Sequence, residues 1–175
     1  YNADLDEDGA VGWLAGFAYQ IPEIALKTSI TYRSEIDHKA SAREYGQSNV
    51  LAFVGSSPVY DVATDANITT PQSVNLDFQT GIMANTVAFA NVRWVNWKDF
   101  SLDLKQFGTV ADTLGALGQT PDNPNGFDIV GYTDDQWSAN VGVGRKFNDL
   151  WAGNVSVGWD SGAGNPISTL GPTEG

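Results

Sequence analysis

The chain has no cysteine, one methionine and one histidine. Without cysteine there is neither a disulfide framework nor a thiolate metal site, an absence in keeping with an exported bacterial protein. Basic residues are scarce as well: 9 Lys and Arg stand against 21 Asp and Glu, a formal net charge of -12. So acidic a chain lacks the basic surface that phosphate backbones require, which argues against a nucleic-acid partner. No apolar run approaches the ~18 residues of a membrane-crossing helix. No charged-then-apolar leader precedes the body of the chain, which opens at Tyr1 as a mature protein or an excised fragment would. What the 175 residues do hold is 19 glycines and 11% aromatics, a balance that leans towards β structure and is enough chain for one domain.

Alternation with a period of two dominates. Residues 13 to 21 set Trp13, Phe17, Tyr19 and Ile21 in one parity. In 24 to 33, Ile24, Leu26, Ile30 and Tyr32 share one face and Lys27, Ser29, Thr31 and Arg33 the other. Residues 73 to 83 put Val74, Leu76, Phe78 and Ile82 opposite Asn75, Asp77 and Gln79. Residues 86 to 97 set Ala88, Ala90, Val92 and Trp94 against Asn91 and Arg93. The pattern returns in 137 to 147 (Ala139, Val141, Val143 against Ser138, Asn140, Gly142) and in 151 to 159 (Trp151, Val155, Val157, Trp159 against Asn154, Ser156, Gly158). Tight turns at Pro22-Glu23, Ala84-Asn85 and Asn148-Asp149 join these runs into three hairpins.

Two long polar connections, 35 to 71 and 98 to 136, separate the hairpins. Short turns at one end and long loops at the other are the rule for outer-membrane barrels and unusual for soluble ones. Strands of about ten residues match the span. The tryptophans and tyrosines, Trp13, Tyr19, Tyr32, Trp94, Trp97, Trp137, Trp151 and Trp159, fall near strand ends, where indole and phenol rings form girdles at headgroup depth; ordinary core aromatics are the competing reading. The expected fold is all-β: an antiparallel up-and-down transmembrane barrel, present as a segment of about six strands with two long external loops, spanning 1-175 as one partial domain.

Chemistry-bearing motifs are few. DLDEDG (4 to 9) opens like a calcium loop, but the twelfth position counted from Asp4 is Ala15 rather than a bidentate acid, and strand-like residues follow instead of a helix. It reads as the acidic end of an external loop, with loose divalent bridging to lipopolysaccharide the residual alternative. His38 stands beside Lys39 in a connection, and Gly55-Ser56-Ser57 lacks a nucleophile elbow. Neither it nor the adjacent Asp134-Asp135 specifies catalysis, so no enzyme, metal or cofactor is expected. In a barrel the polar faces point inward, and Lys27, Arg33 and Arg93 become candidates for attracting a carboxylate. Pairing with acids such as Glu35, Asp77 or Asp160 is the alternative. The apolar run NVLAFV (49 to 54) lies in a polar connection. Leu51, Phe53 and Val54 either pack on the rim or capture an apolar ligand. FGTVADTLGALG, in the second connection, has the look of a short helix.

Six stretches together resemble the FadL/TodX family of outer-membrane transporters: GWLAGFAYQ, YRSEID, TPQSVNL, RWVNWKDF, GYTDDQWSANVGVGRKFNDLW and GWDSGAGNPIS, in the family's order. The resemblance implies a fourteen-stranded barrel with an N-terminal plug, of which this chain supplies the middle-to-late strands, ending at Gly175 within an external loop. It implies passive transport of long-chain fatty acids or other hydrophobic compounds across a Gram-negative outer membrane. The partners it implies are that small molecule, membrane lipid and lipopolysaccharide. A family basic residue that helps hold the head group corresponds to Thr133 in GYTDD, a departure that leaves room for a neutral hydrocarbon. Two other classes stand beside this reading: a soluble β-sandwich module binding carbohydrate through surface tryptophans, and a barrel-embedded hydrolase, which the single loop histidine disfavours.

Overall fold

A computed structural model of the chain describes residues 1–6, 9–102, 104–121, 124–126 and 128–164. Its strands are β1 (Asn2–Leu5), β2 (Leu14–Ile21), β3 (Leu26–Arg33), β4 (Ile36–Gln47), β5 (Val59–Thr70), β6 (Ser73–Met83), β7 (Thr86–Val95), β8 (Ser101–Leu102), β9 (Val130–Gly131), β10 (Gln136–Lys146) and β11 (Ala152–Asp160). One helix, α1, covers Lys105–Ala116.

The main sheet has six strands in the order β11-β10-β7-β6-β3-β2, with every neighbouring pair antiparallel. It is the meander expected from the period-two runs. Its outer strands, β2 and β11, each pair on one side only among the described residues, so the sheet is open. The turns follow local chemistry. Pro22, with its fixed φ, starts a 3-10 turn that closes on Ala25 at φ 51°. That turn holds Ile24, placed above in a strand; the strand begins at Leu26 instead. The Ile24 carbonyl leaves no room for a Cβ at Gly81, which lets the first two hairpins lie close. Asn85 takes the left-handed conformation, φ 56°, that asparagine tolerates. The Asn148 side-chain oxygen accepts from the backbone N–H of Leu150 (2.8 Å) and Trp151 (2.9 Å), closing the third turn.

Register puts the two parities on opposite faces of the whole sheet. Tyr32, Val74 and Trp94 line up across β3, β6 and β7, as do Ile30, Leu76 and Val92, and Trp94 continues to Trp137 on β10. On the other face Thr31, Asn75 and Arg93 align with Ser138, and Ser29, Asp77 and Asn91 with Asn140. Both faces are open: Phe17, Val141 and Val155 on the apolar face are 67%, 61% and 71% exposed, and Lys27, Arg33 and Asp77 on the polar face are exposed as well.

The core lies elsewhere. The connection taken above as the polar loop 35 to 71 is itself a hairpin, β4 with β5, twelve residues a side, edged by β1. His38, expected in a loop, sits in β4 opposite Ile68. Asp4 is likewise in a strand, opposite Arg43, while Glu7 and Asp8 lie outside the described residues. Ala40, Ala42 and Ala66 of this hairpin bury against Leu104 and Ile129 from the second connection, with Phe107 of α1 packed at the edge. The two long connections thus form a small body with its own apolar centre.

Candidate functional site

The six sequence-derived candidates occupy two places. Lys27, Arg33 and Arg93 all lie on the polar face of the main sheet. Arg33 faces Ser73, and Arg93 faces Asn75 one step further in, so these two guanidinium-bearing positions lie two strands apart, with β6 between them, at the end of the sheet next to the long connections. Lys27 is six residues from Arg33 along β3, about 20 Å at strand rise, so the three cations do not form one site.

Lys27 borders a concavity of about 650 Å3, together with Gln20, Ser29, Asp77, Phe89 and Asn91. Asp77 is occupied by neutral donors: Asn91 Nδ2–H donates to its Oδ1 (2.7 Å) and Ser29 Oγ–H to its Oδ2 (3.3 Å). Asn91 also donates to the Leu76 carbonyl (3.3 Å). At Asp160, Gln136 Nε2–H and the Gly162 N–H donate to the carboxylate. Two of the acids named above as internal partners, Asp77 and Asp160, are therefore engaged without Lys27, Arg33 or Arg93. Among the described residues the ion pairs are Arg43–Asp61 (2.6 Å) and Lys146–Asp149 (2.7 Å), neither on this face's centre. Phe89 lies across Gly142, where a Cβ would collide with its ring, so this glycine makes space for an aromatic wall in an otherwise polar surface. Arg33 borders a smaller recess of about 310 Å3 with Trp13, Ser34 and Thr70.

Leu51, Phe53 and Val54 sit in a 3-10 turn, Asn49–Val54, at the tip of the β4–β5 hairpin, far from the cations in the chain. They do not behave alike. Leu51 is 1% exposed, at a tip that packs against α1. Phe53 is 72% exposed, and Val54 is also open.

The sequence reading passed over Glu44. It is 0% exposed and is among the largest fully buried side chains. Its carboxylate accepts from Tyr1 Oη–H (2.9 Å), Thr64 Oγ1–H (3.0 Å), the Gln106 N–H (3.0 and 3.1 Å) and the Phe107 N–H (3.2 Å). Burial first, and the Glu44 charge second, push the neighbouring Tyr60 phenol up. The signal available in the sequence was α1 itself: Leu104 precedes it, and no acid stands in its first turn, so its N–H groups need an acceptor from elsewhere. Nearby, Asp61 is held below the usual carboxylate range by its bonds from Arg43, and burial, followed by Asp112, raises Asp128.

Asp134 and Asp135 do not form a paired-carboxylate site. Thr133 Oγ1–H donates to Asp134 (2.9 Å), and Trp94 Nε1–H to Asp135 (3.0 Å). No group of three or more His, Cys, Asp or Glu side chains is arranged to hold a metal among the described residues. No protein-family model matches the chain, and a search of curated proteins finds no match.

Proposed function

We propose that the chain is part of an outer-membrane β-barrel through which hydrophobic small molecules, long-chain fatty acids or hydrocarbons, pass without covalent chemistry. The observation that carries this reading is the two-faced main sheet. One face is apolar from β2 to β11 and open, the other is polar and open, and the buried core lies outside it. Burying a Leu, Ile, Val or Phe side chain is worth roughly 1.5–3 kcal/mol, so water is a poor surrounding for such a face. Lipid outside and a wet lumen inside suit both faces at once.

The dimensions agree. The eleven residues of β10 run about 36 Å, or about 25 Å along the membrane normal at a tilt near 45°. At the end of the sheet near the long connections, Trp13 meets Tyr32 (4.9 Å between centroids) and Trp94 meets Trp137 (6.4 Å), each pair with its rings tilted. Tyr19 and Trp151 stand at the other end. These are two aromatic rows at the borders of an apolar band, as girdles require. A β-sandwich would need a second layer over the apolar face, and the other described strands pack around Ala40, Ala66 and Leu104 instead.

In this reading the exposed Phe53 and Val54 meet ligand outside, Arg33 and Arg93 await a carboxylate near the mouth, and the concavity beside Lys27 and Phe89 lies further along the lumen. The test is the state of the full-length protein. It should need detergent or lipid to fold and should migrate differently on gels before and after heating. Unaided refolding in water would reject the barrel.

A further inference from the structure

We infer that Glu44 is a positioning residue: by holding the start of α1 it sets the hairpin tip that presents Phe53 and Val54. The inference rests on the capture role proposed for those two side chains, and Glu44 itself touches no ligand.

Helix α1 is poorly equipped to form alone. It has twelve residues, contains Gly108 and Gly115, begins with Lys105 where the helix dipole disfavours a cation, and follows Leu104, which offers no side-chain acceptor. Its second and third N–H groups, those of Gln106 and Phe107, instead reach the Glu44 carboxylate of β4. A negative charge at this place complements the dipole as well as accepting from these two N–H groups. Tyr1 and Thr64 hold the same carboxylate from β1's end and from β5, so four donors from three other parts of the chain converge on it. The Tyr1 ring also meets Phe107 edge-on, 5.6 Å between centroids.

The consequence travels along α1. The helix lies against the Asn49–Val54 turn, where Leu51 is wholly buried. With Leu51 turned inward, the same short turn directs Phe53 outward. Releasing the start of α1 loosens the surface on which Leu51 rests and leaves the tip without a fixed direction. Ligand capture then suffers in affinity, while the lumen, built from other strands, keeps its capacity.

The test uses the full-length protein, with radiolabelled palmitate and hexadecane as probes, in cells that lack other uptake. Amide exchange is followed on the same variants in lipid. In Glu44→Ala, exchange at Gln106 and Phe107 should accelerate by at least about tenfold, the factor equivalent to about 1.4 kcal/mol. The half-saturating probe concentration should rise, with maximal uptake per folded molecule retained. Glu44→Gln keeps an acceptor oxygen and should recover most of both effects. Unaltered exchange in Glu44→Ala, or faster exchange with unchanged half-saturation beside an active wild type, would overturn the positioning role alone. Loss of maximal uptake without a change in half-saturation would do the same, since that is what a purely structural residue gives. A wild-type protein that takes up neither probe rejects the transport reading, and the positioning role falls with it.

Discussion

Trp94 and Trp137 face each other across β7 and β10, and the Trp94 indole N–H donates to Asp135 at the border of the sheet. An apolar ring with a polar handle suits headgroup depth. In lipid, the fluorescence component lost in Trp137→Phe should be quenched more by lipids brominated near the carbonyls than by lipids brominated near the chain ends. Quenching by aqueous iodide alone would place this row away from a membrane.

The sheet's parity makes a second prediction. Cysteines at Leu26, Ile30, Val74, Leu76, Val141 and Val155 should resist a water-soluble maleimide in the assembled protein, and cysteines at Lys27, Ser29, Thr31, Asn75 and Asn154 should react. Register fixes these sets, because a shift of one residue exchanges the faces completely. Equal labelling of both sets would remove the barrel.

Parity was legible in the sequence because each main strand has one apolar face, and Val74, Leu76 and Phe78 announce it without help. The hairpin β4–β5 was hidden for a physical reason. Its inner face carries Ala40, Ala42 and Glu44, residues too small or too polar to make hydrophobic alternation stand out. Burial there is achieved by close approach of small residues and by a fully bonded carboxylate. The candidate site was legible in part. The shared face of Lys27, Arg33 and Arg93 follows from spacing. That Asp77 is taken up by Ser29 and Asn91 depends on cross-strand partners, which spacing within one strand does not specify.

Sidedness gives a third prediction. The turns at Pro22–Ile24, Ala84-Asn85 and Asn148-Asp149 lie at one end of the sheet and the body formed by the two long connections at the other. Protease added to intact cells should cut within 35 to 71 or 98 to 136 and spare the short turns. Cleavage at a short turn from outside would invert the orientation.

Asp128 makes the fourth, with a defined sign. Burial and the nearby Asp112 raise its carboxyl above the ordinary value, so the folded state binds the proton more tightly than the unfolded state. The resulting stability is present below the unfolded pKa of about 4 and is lost as pH rises through the raised value. At neutral pH the ionised group therefore works against the fold. Asp128→Asn should make the 98 to 136 segment more resistant to protease at pH 7 and leave it unchanged near pH 3. A stabilisation equal at both values would point to a cause other than titration.

Leu51 and Phe53, two residues apart in one turn, should fail in different ways. Leu51 is buried at a tip that packs on α1, so Leu51→Ala removes packing and leaves a cavity, at a cost of about 2–5 kcal/mol to the loop body. Phe53 is mostly exposed, and Phe53→Asp removes little packing. If its ring meets ligand, uptake should weaken by about tenfold, the equivalent of about 1.4 kcal/mol, with unfolding of the loop body unchanged. Uptake and protease resistance measured on both variants separate the two effects. A Phe53→Asp protein that loses stability but transports normally per folded molecule would show that the exposed ring is packing at the rim, and the capture role would then have no residue to carry it.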